Sequence, residues 1–292
     1  LRCPITFYYR YIAGLTEPMD NDEDDIDNRM FGNIFHCAAQ LMYEELLPKD
    51  RITKENIEYV LKTEKSAKSF SERKSNGTLD SVITSAFNKE LFRLPSTSKK
   101  KPKLNGLQVL NQEVIKKYLR RLLVLDLRIA PLKVIKHEYD VYKTLKIKIG
   151  DEEKQLTIGG RIDRLDEINS NTSMPRLRVV DYKTGNKVAA ELNSVSDIFN
   201  PDNVLEKKSD YTLQALLYSI LTTDEDNKYN KGHLPVSPAL LFIQHTNAND
   251  YSPILSLGSN EIENVADYAE DFYKHLNGVL EEIYNMEIPF KP

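Results

Sequence analysis

Val179-Val180-Asp181-Tyr182-Lys183-Thr184-Gly185 places two β-branched residues ahead of an acid and a base, and a Thr-Gly pair ends the run. It reads as a short buried strand ending in a turn. Side chains alternate faces along a strand, so Asp181 and Lys183 point one way and Tyr182 the other. Upstream stands Gly159-Gly160-Arg161-Ile162-Asp163-Arg164-Leu165-Asp166, a strand candidate that delivers Asp163 to the same neighbourhood. Two carboxylates and one ammonium converging at strand ends form a divalent-cation site with a positive charge beside it. Such an arrangement is suited to hydrolysing a phosphodiester.

The flanking segments predict further strands and helices. Val134–Val141 reads as a strand. Leu145–Ile149 and Leu156–Ile158 alternate with period two about a turn at Gly150–Glu153, which predicts a hairpin. With Gly160–Asp163, a loop at 167–175 and a strand at 176–182, four strands run consecutively over 134–182. A helix over 209–222 follows, with Ser209 as its N-cap, then a strand over 239–245 and a last helix over 260–285. Upstream, Met30, Phe31, Ile34, Phe35, Ala38, Leu41 and Met42 keep helical spacing over 29–47. Gly32 inside that helix costs about 1 kcal/mol relative to Ala, tolerable where a ligand or another backbone approaches closely. Helices at 53–63, 78–93 and 108–129, with a Pro-, Ser- and Lys-rich join at 95–106, read as a helical insert (48–130) within one domain spanning residues 1–292.

The composition, with 40% hydrophobic and 29% charged residues, is an ordinary soluble one. No apolar run approaches the roughly 18 residues of a membrane span. No secretory signal opens the chain, and two cysteines do not make a disulfide framework, so the expected location is cytoplasmic. The chain starts at Leu1 without Met and stops at Pro292, and is read as a piece of a longer protein. A net charge of −4 does not advertise nucleic acid, but phosphate contacts need local rather than global positive charge. Two local clusters exist: Lys99-Lys100-Lys101-Pro102-Lys103, and Lys116, Lys117, Arg120 and Arg121 on a helix. The acidic run at 20–27 carries no ligand-like spacing and suits the start of a helix.

The order Gly160-x-x-Asp163, Asp181-x-Lys183-Thr184-Gly185, Gln214-x-x-x-Tyr218 resembles the PD-(D/E)xK nuclease superfamily, and within it the RecB/AddB-like exonuclease branch. Gly32-Asn-Ile-Phe-His36 resembles that branch's G-x-x-x-H helix, and Cys3-Pro4-Ile-Thr-Phe7-Tyr8-Tyr9 its opening segment. A lone D-x-K is common by chance. Five elements in this order are not, although residues 50–130 fall outside the resemblance.

The resemblance implies an α/β, restriction-endonuclease-like core, a mixed sheet flanked by helices. It implies that Asp163 and Asp181 ligate Mg²⁺ or Mn²⁺, with His36 and Glu138 as further metal ligands. Asp140 is a second acid offered by the Glu138 strand, and Asp166 orders a turn by hydrogen bonding. Lys183 positions or deprotonates the attacking water and offsets charge on the phosphorus. Gln214 and Tyr218, one helical turn apart, orient Lys183 or a DNA phosphate. In relatives of this branch the opening cysteine joins three others in an iron–sulfur cluster. Here only Cys37 accompanies Cys3, so any cluster belongs to the full-length protein. DNA and a helicase-like partner are the implied partners, in recombination or repair. The rival reading is a non-catalytic DNA-binding or scaffold module, which would have a broken site; Asp163, Asp181 and Lys183 are all present. A nucleotide hydrolase of another kind lacks its phosphate-binding loop here.

Overall fold

The computed structural model describes residues 4–15, 26–66, 77–95, 102–149, 152–169, 174–186, 191–246, 251–285 and 287. Four strands form one sheet in the order β1 (Leu132–Ile149), β2 (Glu152–Ile168), β3 (Arg176–Lys183), β4 (Val236–Phe242). The first three are successive antiparallel neighbours, while β4 pairs with β3 in parallel. A parallel neighbour needs a crossover. Here it is helical: α5 (Val195–Phe199), α6 (Pro201–Glu206) and α7 (Ser209–Thr222). Before the sheet come α1 (Asn28–Leu46), α2 (Lys54–Ser66), α3 (Leu79–Glu90) and α4 (Gly106–Ile129), and after it α8 (Ala269–Tyr284). The α/β architecture expected from the sequence, a mixed sheet flanked by helices, is the one observed.

The sheet separates two cores, and β3 serves both. Val180 and Tyr182 pack with α1, α3 and α4 against one face. Leu177 and Val179 pack with Leu216, Ile220 and Phe272 of α7 and α8 against the other. The helices at 54–129 therefore share the apolar layer of α1 and the sheet. Local sequence sets their ends: Asp27 accepts from Met30 N (2.6 Å) at the start of α1, and reciprocal capping boxes at Thr78–Ser81 and Asn105–Gln108 start α3 and α4.

Several expectations need correction. The strand at 134–141 and the first arm of the hairpin are one strand, β1, because Tyr142-Lys143-Thr144 contains no breaker and pairs with Thr157–Gly159. β2 runs on to Ile168, through the start of the expected loop. The strand after α7 ends at Phe242 and gives way to a 3₁₀ turn over Ile243–His245. The last helix starts at Ala269, after a small β-ribbon (Ser256–Leu257 with Asn260–Glu261) and a 3₁₀ turn (Val265–Tyr268). Ser209 is not an N-cap: it is fully buried and its Oγ donates to Ile198 O (2.9 Å). Gly32 meets no close backbone; a Cβ there would lie 3.7 Å from Thr184 Oγ1, an ordinary contact. Lys116 is buried and paired with Asp80 (2.7 Å), tying α4 to α3. Arg121 donates to Ile243 O and Gln244 O (3.2 and 3.3 Å). Lys116 and Arg121 of the helical basic cluster are thus committed to structure. Cys3, Lys99–Lys101 and residues 20–25 lie outside the described residues.

Candidate active site

The site forms where strand regularity fails. In β1 and β2 the register pairs His137 with Arg164 and Tyr139 with Ile162, and passes over Glu138 and Asp163. His137 and Arg164 lie against Tyr43 on the α1 side, whereas Tyr139 and Ile162 belong to the opposite core. Residues two apart should share a face, so both strands turn over at this step. The backbone device is Glu138, held at φ +45°, a conformation that costs a non-glycine residue about 1–3 kcal/mol. The inversion leaves both carboxylates without ladder partners. It also removes Asp140 from the site: Asp140 faces its cross-strand partner Arg161, which donates to it twice (2.9 and 3.2 Å).

The β2–β3 ladder ends at Arg164–Val180. Beyond it Tyr182 N donates to Asp163 Oδ2 (2.7 Å) instead of to a strand carbonyl. That bond fixes the Asp163 carboxyl and leaves Oδ1 facing His36 Nδ1 (3.3 Å) from α1. Glu138 Oε1 lies 3.8 Å from the same nitrogen. One ligand atom each from His36, Glu138 and Asp163 falls within a 4.8 Å group able to hold a metal ion. Asp181, one residue past the end of that ladder, pairs with Lys183 (2.7 Å) on the same face.

The electrostatics are those of a cation site. Burial, then the charge of Asp163, against the pull of Lys183, push the Asp181 carboxyl up to about 6. Burial and Asp163 also raise Glu138. Burial alone would lower His36, but Asp163, Asp181 and Glu138 more than offset it and hold the imidazole above its ordinary value. Three acids and an imidazole thus face each other, with the Lys183 ammonium against Asp181 and the more exposed Arg161 and Lys89 acting on Glu138. An oxygen-rich set with one imidazole fits Mg²⁺ or Mn²⁺.

Lys183 is held from α7. Its ammonium donates to Gln214 Oε1 (3.3 Å), and Gln214 Nε2 donates to Tyr218 Oη (3.5 Å). Tyr218 in turn lies over Gly160, where a Cβ would fall 2.0 Å from its hydroxyl; the glycine is there to admit the ring. Lys183 Nζ also stands 4.6 Å from the Tyr211 ring centroid, within cation–π range. Tyr211 went unread in the sequence, although it shares the Gln214–Tyr218 face at i−3. The loop after Lys183 is braced as well: Gln244 Nε2 donates to Thr184 O (2.7 Å) and His245 Nε2 to Asn186 O (2.9 Å).

One expectation fails here. Asp166 orders no turn; it is buried within β2 and binds Arg164 and Arg178. Cys37, next to His36, is a buried free thiol that burial pushes up to about 11.

No curated protein matches the chain. The family model of the PD-(D/E)XK nuclease superfamily matches residues 1–292, and the chain belongs to that superfamily.

Proposed function

We propose that this protein is a Mg²⁺- or Mn²⁺-dependent deoxyribonuclease, an exonuclease acting in DNA recombination or repair with a helicase-like partner. Membership of the family supports a metal-dependent nuclease. The observation that carries the reading is the meeting of His36, Glu138 and Asp163 beside the Asp181–Lys183 pair, where the strands part. No helix of the described residues is long and apolar enough to cross a membrane. We keep the single-domain reading with its helical insert, supported by the apolar layer those helices share with the sheet.

In this reading Asp163, Asp181, Glu138 and His36 hold the cation, which when bound polarises the scissile phosphate and offsets its growing charge. Lys183, as the ammonium, orients a water placed in line with the leaving oxygen and offsets the charge that grows on the phosphate. Attack forms the new P–O bond, the P–O3′ bond breaks, and the products carry a 5′-phosphate and a 3′-hydroxyl. Gln214 and Tyr218 keep the Lys183 ammonium aimed at the phosphorus. The acid-heavy balance of the site is the reason a cation belongs there.

The test is cleavage of labelled linear and circular DNA, single- and double-stranded, with Mg²⁺, Mn²⁺ or EDTA, beside Asp181→Ala. Metal-dependent degradation lost in the variant supports the nuclease, and preference for linear DNA supports the exonuclease. Salt-sensitive DNA binding without cleavage would favour the binding-module reading.

A further inference from the structure

Beside the candidate metal ligands lies a pocket of about 340 Å³ lined by Asn33, His36, Gln40, Lys89, Glu138 and Arg161, among others. We propose that it is a nucleotide subsite, seating the phosphate and sugar next to the scissile phosphate of a single DNA strand. The inference rests on the nuclease reading and adds a substrate contact made by the helical insert.

Position comes first. His36 and Glu138 belong both to the metal-ligand group and to the pocket wall. A strand whose scissile phosphate sits among those ligands must therefore place a neighbouring nucleotide within reach of the pocket. Size comes second: small-ligand pockets begin near about 300 Å³, so the volume suits one nucleotide rather than a duplex end. Chemistry comes third. Two cations line it, Lys89 at the end of α3 and Arg161 from β2, along with the amides of Asn33 and Gln40. The Asp140 carboxylate takes Arg161 Nε and Nη2, which holds the guanidinium in place while Nη1 can donate to a phosphate. Gln40 Nε2 donates to Glu44 (2.9 Å) and is likewise held. Glu138 and Glu90 are the opposing charges in the same wall. Glu138 faces the metal ligands, and Glu90 lies 3.7 Å from Lys89 Nζ, so the pocket favours a phosphate only alongside the bound cation.

The geometry also assigns the insert a purpose. Lys89 is the only pocket residue contributed by α3 besides Glu90, and α3 packs directly on α1 through Val82, Ile83, Ala86 and Phe87 in the shared core. The helix that fills the core thereby presents an ammonium to the substrate path.

The experiment measures binding of a fluorescent oligothymidylate to wild type, Lys89→Ala, Arg161→Ala and the double variant, with Ca²⁺ replacing Mg²⁺, over a range of salt. Both side chains are more than half exposed, so the variants should fold; circular dichroism checks this. The double variant is expected to bind about tenfold more weakly, with the slope of log K against log salt reduced by about 0.7, the value of one phosphate on a single strand. Lys89→Arg, which keeps the positive charge, is expected to keep the wild-type slope. Unchanged affinity, or weaker binding with an unchanged slope, overturns the subsite. Hydrolysis of bis(4-nitrophenyl) phosphate, which has no neighbouring nucleotide, is expected to be the same in wild type and double variant. If wild type hydrolyses neither this ester nor DNA, the nuclease reading fails, while the salt slope still judges the pocket.

Discussion

Asp163 and Arg164 are neighbours in β2, and Asp181 lies three residues beyond Arg178 in β3, yet they belong to two charge clusters built on opposite principles. On the α1 side, Arg164 and Arg178 face Asp126 and Asp166, two cations against two anions, all at most 3% exposed. Arg164 grips both oxygens of Asp126 (3.0 and 3.2 Å) and donates to Asp166 (2.9 Å), Arg178 reaches both acids, and Tyr43 Oη donates to Asp126 while accepting from Arg164. Where the strands part, Glu138, Asp163 and Asp181 face Lys183 and the His36 imidazole, with the exposed Arg161 and Lys89 acting on Glu138 from the neighbouring pocket. The first cluster has no charge to spare: burial would raise Asp126, but Arg164 and Arg178 hold it below its ordinary value. The second has an excess of negative charge, and Asp181 and Glu138 are raised. A balanced cluster ties α1, α4, β2 and β3 together; an unbalanced one is a place for a cation.

The largest effects should come from the unbalanced cluster, on chemistry. Lys183→Ala is expected to lower the cleavage rate by roughly 10²–10⁴-fold while Mn²⁺ affinity, read by titration calorimetry, stays near that of wild type. Asp181→Ala should lose cleavage and tight Mn²⁺ binding together. Wild-type metal affinity in Asp181→Ala would remove it from the ligand set, and surviving activity in Lys183→Ala would end its role in activating water.

The balanced cluster should answer on stability instead. Arg164→Ala strips two buried aspartates of their main partner, and leaving a buried charge uncompensated costs about 3–5 kcal/mol. Urea unfolding of the metal-free protein checks it. The same measurement on Asp181→Asn should show no loss, since that change removes a repelled carboxylate. Equal losses in the two variants would mean that both clusters are structural.

Acidity separates the clusters by sign. Asp181 titrates near 6 in the fold against an ordinary value near 3.8, so the folded state binds its proton more tightly. Its penalty is complete above about pH 6 and is relieved as pH falls toward 4. His36, raised as well, stabilises below its unfolded value, and that contribution is lost as pH rises through the folded one. Asp126, depressed, contributes stability above its unfolded value that is lost as pH falls through the folded one. Burial also holds His137 down to about 4, which costs stability as pH falls through the same window. The signature of the site is therefore a difference: from pH 7 to about 5 the metal-free wild type should gain stability relative to Asp181→Asn, and Mn²⁺ should abolish that relative gain. Parallel pH profiles of the two proteins without metal would contradict the raised Asp181.

The unbalanced cluster was the more legible of the two. Asp181 and Lys183 share a face by the period of a strand, a local rule that the fold respects, and Gln214 and Tyr218 share one by the period of a helix. The balanced cluster was misread at Asp166, because its partner Arg178 is 12 residues away on the next strand, and Asp126, which binds the same two arginines, enters only through the packing of α4 on the sheet. Asp140 was misread for a different reason. Its face follows from alternation only if β1 is regular, and the left-handed backbone at Glu138 carries no signal in a residue that is not glycine. The continuous β1 was readable in hindsight, since Tyr142-Lys143-Thr144 holds no glycine or proline.

The smallest expected effect sharpens how the lysine of the unbalanced cluster is aimed. Gly160 has no side chain where Tyr218 Oη would lie 2.0 Å from a Cβ, and Tyr218 reaches Lys183 only through Gln214. Tyr218→Phe removes one hydrogen bond, worth about 1 kcal/mol, and should lower kcat about fivefold with little change in metal affinity. Gly160→Ala pushes the ring aside, breaking the same chain from its other end, and should cost a similar factor. If the two act through one path, the double variant is no slower than the worse single, since coupled sites do not add. Multiplication of the two losses would mean that Tyr218 meets the substrate by a route of its own and that the glycine serves only the packing of β2 against α7.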